Sequence, residues 1–197
     1  KKAIMNLGPS VFHFEEFFSQ ILKSYGYETN VGTILKGKNI NHEVDIVARK
    51  KFVYMVECKY HNAPGIYTKS KVALYTYARF LDLKNNKKIK FDSPWLVTNT
   101  KCSSDAINYA GGVNMRITSW QYPKDENLQK LIMDKKLYPI TILPSVKGFI
   151  KEKLSQSKIV LAKSLIDSEF VKLMKKTNLS EKILKKIVKE AKEVCLC

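Results

Sequence analysis

The stretch "HEVDIVARKKFVYMVECKYHN", residues 42–62, reads as two β-strands joined by a tight basic turn. The second strand alternates. Val53, Met55, Glu57 and Lys59 take one face, and Phe52, Tyr54, Val56, Cys58 and Tyr60 the other. Both faces begin apolar, the pattern of a strand covered on both sides. A carboxylate and an amine therefore stand on a strand otherwise built for burial. Asp45 joins them from the strand before, flanked by Val44, Ile46 and Val47. Carboxylates converging in a half-buried place repel one another unless a cation balances them. A hard divalent ion does so: Mg²⁺ takes oxygen ligands, often one or two carboxylates plus substrate phosphate.

Working outward, residues 10–25, "SVFHFEEFFSQILKSY", have helical periodicity, with Ser10 as N-cap and Gly26 as stop. Positions 11, 14, 18, 21, 22 and 25 share one arc, with 17 at its edge. Glu15 lies at the other edge of that arc and can reach inward, whereas Glu16 falls on the polar side with Gln20 and Lys23. His13 reads as a surface residue. Then come "YETNVGTIL" as a strand, "KGKN" as a turn, the quoted pair of strands, and a helix over 68–83 with Thr68 as its cap. "PWLVTNT" reads as a buried strand, "SSDAINYAG" as a helix capped by Ser103 or Ser104, and "NMRITSW" as a last strand. The order α-β-β-β-α-β-α-β predicts an α/β fold with a mixed sheet flanked by helices.

Beyond residue 128 the pattern turns to short helices: "NLQKLIMDKK", "SVKGFIKEKL", "KIVLAKSLIDSEFVKLMKK" and "LSEKILKKIVKEAKEVC". Pro139 and Pro144 punctuate the join, so the expected division is 1–140 and 146–197. The second part carries 13 Lys against 6 Asp plus Glu, a small basic α-helical domain suited to the DNA backbone.

The formal charge of +17 makes polyanions the natural partners, although a lysine-rich, arginine-poor composition also arises from base composition alone. No uncharged apolar run is long enough to span a membrane, and the first residues lack an apolar signal region. Cys58, Cys102, Cys195 and Cys197 have no metal-ligand spacing and read as reduced thiols, so the expected location is cytoplasmic. No Gly-rich phosphate loop is present, which argues against ATP binding by this chain.

Asp45 followed by Glu57-Cys58-Lys59 resembles the bipartite D…(D/E)xK signature of the PD-(D/E)xK restriction-endonuclease-like nucleases. "GPSVFHFEEFFSQILKSYGY" is similar to the first helix of the Mrr and archaeal Holliday-junction-resolvase branch, in which a helical glutamate joins the metal site; Glu15 matches it. "HEVD", "ECKYHN", "KVALYTYARF" and "LVTNTKC" resemble a group whose members often carry an N-terminal regulatory ATP-cone domain, absent here. The likeness covers roughly residues 5–120, with Val44 in place of the proline before Asp45.

The resemblance implies a restriction-endonuclease-like αβββαβ core and a metal-dependent DNA endonuclease leaving 5′-phosphate and 3′-hydroxyl ends. It implies Asp45, Glu57 and the Cys58 backbone carbonyl as ligands of Mg²⁺, which Mn²⁺ can replace. Glu15 completes the site, and Lys59 orients the attacking water. His42, His61, Asn62, Lys69 and Lys71 are candidates for touching DNA, and Thr98 and Asn99 stand at the edge of the site. Two other readings stay open: a Holliday-junction resolvase acting as a homodimer, and a non-cleaving DNA-binding regulatory module.

Overall fold

A computed structural model describes residues 1–8, 11–84 and 86–196, with backbone alone for 11–13. The readings on Ser10, the Val11 and His13 side chains, and Cys197 lie outside the described residues.

One five-stranded sheet organises the first two thirds of the chain, in the order β1-β2-β3-β5-β7. Strands β1 (Glu28–Lys36), β2 (Asn41–Arg49) and β3 (Val53–Lys59) form an antiparallel meander. Strands β5 (Ser93–Thr98) and β7 (Arg116–Thr118) then add in parallel, each after a helical crossover. The sheet is mixed, as its sequence order predicts.

Helix α2 (Val11–Ser24) covers one face. Phe14, Phe17, Phe18, Ile21 and Leu22 pack on Ile46, Ala48, Val56, Cys58, Trp95 and Val97, with Phe18 edge-on to Trp95 at 5.7 Å. The short helix α1 (Lys2–Met5) adds Ile4 to that core and accepts the Tyr60 hydroxyl at the Met5 carbonyl, 2.6 Å. Helices α3 (Ser70–Leu83) and α4 (Ser104–Gly112) cover the other face, through Phe80 and Leu83 against Val44, Val47 and Met55, and Ala106 and Ala110 against Leu96 and Ile117. Ser103 caps α4 by accepting from the Ala106 N–H at 3.2 Å.

Three expectations change. Thr68 does not cap α3: it belongs to the two-residue strand β4 (Tyr67–Thr68), paired with β6 (Lys101–Cys102), and its hydroxyl donates to Thr98 at 3.0 Å. Glu16 is buried, not on a polar face, because Gln20 donates both to it and to the Lys158 carbonyl, at 3.1 Å each. A neighbour 138 residues away covers that side of α2. Finally, residues 158–176 are not one helix. Ile140 N–H donates to the Val160 carbonyl and Ala162 N–H to the Tyr138 carbonyl, which draws 159–162 into an extended bridge with 138–140. Helix follows only in α7 (Ser164–Asp167) and α8 (Phe170–Thr177), separated by extended Ser168 and Glu169.

After α5 (Leu128–Asp134), the C-terminal region is helical: α6 (Gly148–Gln156), α7, α8 and α9 (Glu181–Leu196). They enclose Leu143, Leu154, Leu173, Leu184, Ile187 and Ala191. Ile187 is fully buried. Ile187→Ala is expected to cost about 2–5 kcal/mol, read as a lower urea midpoint at unchanged slope.

Candidate active site

The β2–β3 ladder ends at Ile46 paired with Val56, so β3 beyond that point keeps ladder partners only on its β5 side. The Cys58 N–H is taken instead by the Asp45 carboxylate, at 2.7 Å. A mid-strand carboxylate thus replaces a strand carbonyl, and Asp45 is fixed beside Glu57. The Cys58 side chain points into the core under α2, where burial pushes its thiol pKa well up. Cys58, Cys102 and Cys195 are free and buried.

Electrostatics bring the predicted residues together. Glu15, on α2, has its pKa pushed up to about 7, first by burial and then by repulsion from Asp45, Glu43 and Glu57. Burial and the Asp45 charge likewise push Glu57 up to about 7, against the opposing pull of Arg79 and Lys59. Asp45 is also raised, chiefly by burial, although the Cys58 N–H, Arg79 and Lys59 favour its charged form. Three elements thus bring carboxylates within electrostatic reach of one another. Lys59 acts on two of them through space from an exposed position.

The direct counter-charge on Glu57 is Arg79. The Arg79 Nη1 donates to Glu57 Oε2, and its Nη2 donates to the Glu43 carbonyl. Its guanidinium lies 5.3 Å from the centre of the Tyr75 ring. Arg79 is buried, and its Nε has no hydrogen-bond partner among the described residues. Its partners stand on two strands distant in sequence, which hides this role. The available signal was compositional: only Arg49, Arg79 and Arg116 break a lysine-dominated basic set. Glu43 also escaped the sequence reading.

The flanking residues divide. His42 Nε2 contacts Asp82 Oδ2 at 2.8 Å, which ties it to α3. His61 is clamped by Asn99, which accepts from its N–H at 2.8 Å and donates to its carbonyl at 2.6 Å. The His61 ring meets the Thr68 hydroxyl at 3.1 Å, and burial with the nearby Lys59 charge lowers its pKa. Thr98 and Asn99 therefore brace the turn that follows Lys59. Asn62, Lys69 and Lys71 are exposed.

The donor set is all carboxylate oxygen and partly buried, with Arg79 supplying the balancing charge, which suits a hard cation. Among the described residues, no three His, Cys, Asp or Glu stand close enough to cage an ion unaided. Water and phosphate would fill the remaining positions, as they do for Mg²⁺. Among the described residues, no helix is long and apolar enough to cross a membrane.

The chain has recognisable relatives among known proteins. An uncharacterised protein of Archaeoglobus fulgidus is 40% identical over 177 residues, 89% of this chain and 98% of that protein. A crystal structure described as AF1548, a protein of unknown function, superposes with a TM-score of 0.84 at 37% identity, covering 94% of this chain and 98% of that one. The family described as AF1548-like, C-terminal, matches residues 138–195. The Mrr catalytic family, described as restriction endonuclease, matches residues 9–128, which is more than half of the chain and contains every carboxylate of the site. The protein therefore belongs to the Mrr-type restriction endonuclease family.

Proposed function

We propose that this protein is a metal-dependent DNA endonuclease hydrolysing phosphodiester bonds, with Asp45, Glu57 and the Cys58 carbonyl holding Mg²⁺ and Glu15 completing the site. One observation carries this reading. Asp45, Glu57 and Glu15, from a strand, its neighbour and the helix packed above them, are mutually repelling carboxylates in a protein of charge +17, with Lys59 beside them. The bound ion would supply charge neutralisation and Lewis-acid polarisation of the phosphate.

The chain's own groups do the rest. Lys59, exposed at the end of β3, orients the attacking water and offsets charge on the phosphate as it becomes five-coordinate. Water adds to phosphorus as the bond to the 3′ oxygen breaks, giving a 5′-phosphate and a 3′-hydroxyl. The Asn99 clamp on His61 holds the segment after Lys59, and so its approach angle. The basic helical unit near 146–197 adds sequence-independent backbone affinity.

A panel of supercoiled, linear, single-stranded and four-way-junction DNA with Mg²⁺ or Mn²⁺ tests the proposal. Metal-dependent nicking or cutting is expected. Tight binding without cleavage on every substrate would instead favour the regulatory module.

The carboxylates also set a pH dependence. Glu15 and Glu57 have folded-state pKa values raised to about 7 from an ordinary 4.5, so the folded chain holds these protons more tightly than the unfolded one. Their contribution to stability is therefore full below about 4.5 and declines as pH rises to about 7. Without metal, the melting temperature of the parent is expected to fall across that window relative to a Glu15→Gln/Glu57→Gln variant. Added Mg²⁺ is expected to raise the parent's melting temperature at pH 8 and barely at pH 5, by differential scanning fluorimetry.

A further inference from the structure

The turn between β1 and β2, Lys36 to Asn41, is held on α3 by a dense set of bonds. Asp82 accepts from the Asn39 N–H at 2.9 Å, the Asn39 side-chain amide at 2.5 Å and the Ile40 N–H at 3.3 Å, besides its contact with His42. The Lys38 N–H donates to the Asp82 carbonyl at 2.8 Å. Gly37 lies so close that an added Cβ would meet Asp82 Oδ2 at 1.9 Å. The Asn86 amide donates to the Lys36 carbonyl at 2.6 Å, which joins the segment after α3 to the same turn.

This rigid tip carries a distinct surface. Lys36, Lys38, Lys84, Lys87, Lys88 and Lys90 are all exposed, and among the described residues none forms an ion pair. No carboxylate occurs in 36–41 or 84–91. Ile34 and Ile40 are 72% and 62% exposed, unusual for isoleucine, and a cavity of about 450 Å³ opens between 34–38 and 86–88. Ile34 pairs across the ladder with Glu43, a member of the acidic cluster. The tip thus projects from the same end of the sheet as the candidate site. Asp45 is four residue steps along β2 from Asn41, about 13 Å at strand rise. That is about four base pairs along a duplex.

We infer that the β1–β2 hairpin is a duplex-DNA-engaging element, its lysines on phosphates and its exposed isoleucines against a groove, a few base pairs from the scissile phosphate. A two-stranded β-ribbon fits the major groove, lysines alone can neutralise phosphate, and the exposed apolar pair gains from base edges and sugars. Pinning to α3 removes the ordering cost of a loose loop. The inference rests on the nuclease reading for its ligand, but its test does not require cleavage.

Binding of a fluorescent 20-base-pair duplex and of the matching single strand is measured by anisotropy in EDTA, across salt concentrations. The protein is the full chain and a Lys36→Gln/Lys38→Gln/Lys87→Gln/Lys88→Gln variant, with Ile40→Ser and Gly37→Ala beside them. The lysine variant is expected to lose at least tenfold in duplex affinity near 100 mM salt, its salt slope falling by about 3.6, or 0.9 for each of the four phosphates that no longer meet a lysine. Ile40→Ser is expected to weaken duplex binding with the slope unchanged. Gly37→Ala, which alters no charge, is expected to weaken it by displacing the tip. Unchanged duplex affinity and slope in the lysine variant, at parental melting temperature, would overturn the inference. So would equal losses on duplex and single strand. A parent that binds duplex through the hairpin but cuts nothing with metal present would sink the nuclease reading while leaving this one standing.

Discussion

Glu57→Ala is expected to remove cleavage by at least about 10³-fold, with DNA affinity in EDTA unchanged or slightly raised. Removing one preorganised electrostatic contributor to a charged transition state commonly costs about 10²–10³ in rate. Glu57 has a second task, since with Asp45 it forms the proposed oxygen pair that fixes the ion. Its loss therefore removes position as well as charge. Lys59→Ala is expected to reduce the rate to a similar extent, but for a different reason, and the metal titration separates the two. Glu57→Ala should shift half-maximal Mg²⁺ upward or abolish saturation. Lys59→Ala should leave the metal midpoint near its parental value and lower the plateau. Equal, metal-independent residual cutting in both variants would show the activity to come from elsewhere.

Arg79→Ala is expected to destabilise the metal-free chain by about 3–5 kcal/mol near pH 8, the usual cost of leaving a buried charge without its partner. The guanidinium links Glu57 to the Glu43 carbonyl and is itself buried. Without it, Lys59 acting through space is the remaining cation on Glu57 and Asp45 among the described residues, beside the Cys58 N–H on Asp45. The direction with pH follows. Lowering the pH to 5 protonates Glu57 and should return much of the loss, because the neutral acid needs no counter-charge. Saturating Mg²⁺ at pH 8 should return stability too, by supplying another cation. Urea melts at the two pH values, with and without Mg²⁺, read all four conditions. An equal loss at pH 5 and pH 8 would mean that Arg79 acts by packing on Tyr75 and not by charge.

The candidate site stands out in the sequence because its residues break a local pattern. Asp45 interrupts an apolar strand, and Glu57 and Lys59 share a face that Val53 and Met55 mark as covered. Helical geometry separates Glu15 from Glu16, and burial together with the Asp45, Glu43 and Glu57 charges raises the Glu15 pKa. The same geometry misplaces Glu16, because a wheel drawn for one helix contains no information about the Lys158 carbonyl. Arg79 was missed for a similar reason: its partners lie 22 and 36 residues away, on two strands. The stretch 158–176 is helical by periodicity, yet residues 159–162 give up intrahelical bonds for the Tyr138 and Ile140 backbone. Local propensity is a weak prior wherever a distant chain segment offers the same bonds with better burial.

That bridge has a consequence for shortened chains. Val160 and Leu161 lie in the sequence region of the C-terminal helices, yet they belong to the core beneath α2, and Tyr138 packs against both that core and the helical one. A chain stopped at 140 would keep every carboxylate of the site but open a hole in the core to which Phe17 and Ile21 belong. It would also strip the Ile140 N–H and the Tyr138 carbonyl of their partners. The nuclease-like region is thus completed by residues encoded after it. During synthesis, α2 and the sheet must wait for Val160 and Leu161 to leave the ribosome before their apolar surface is sealed.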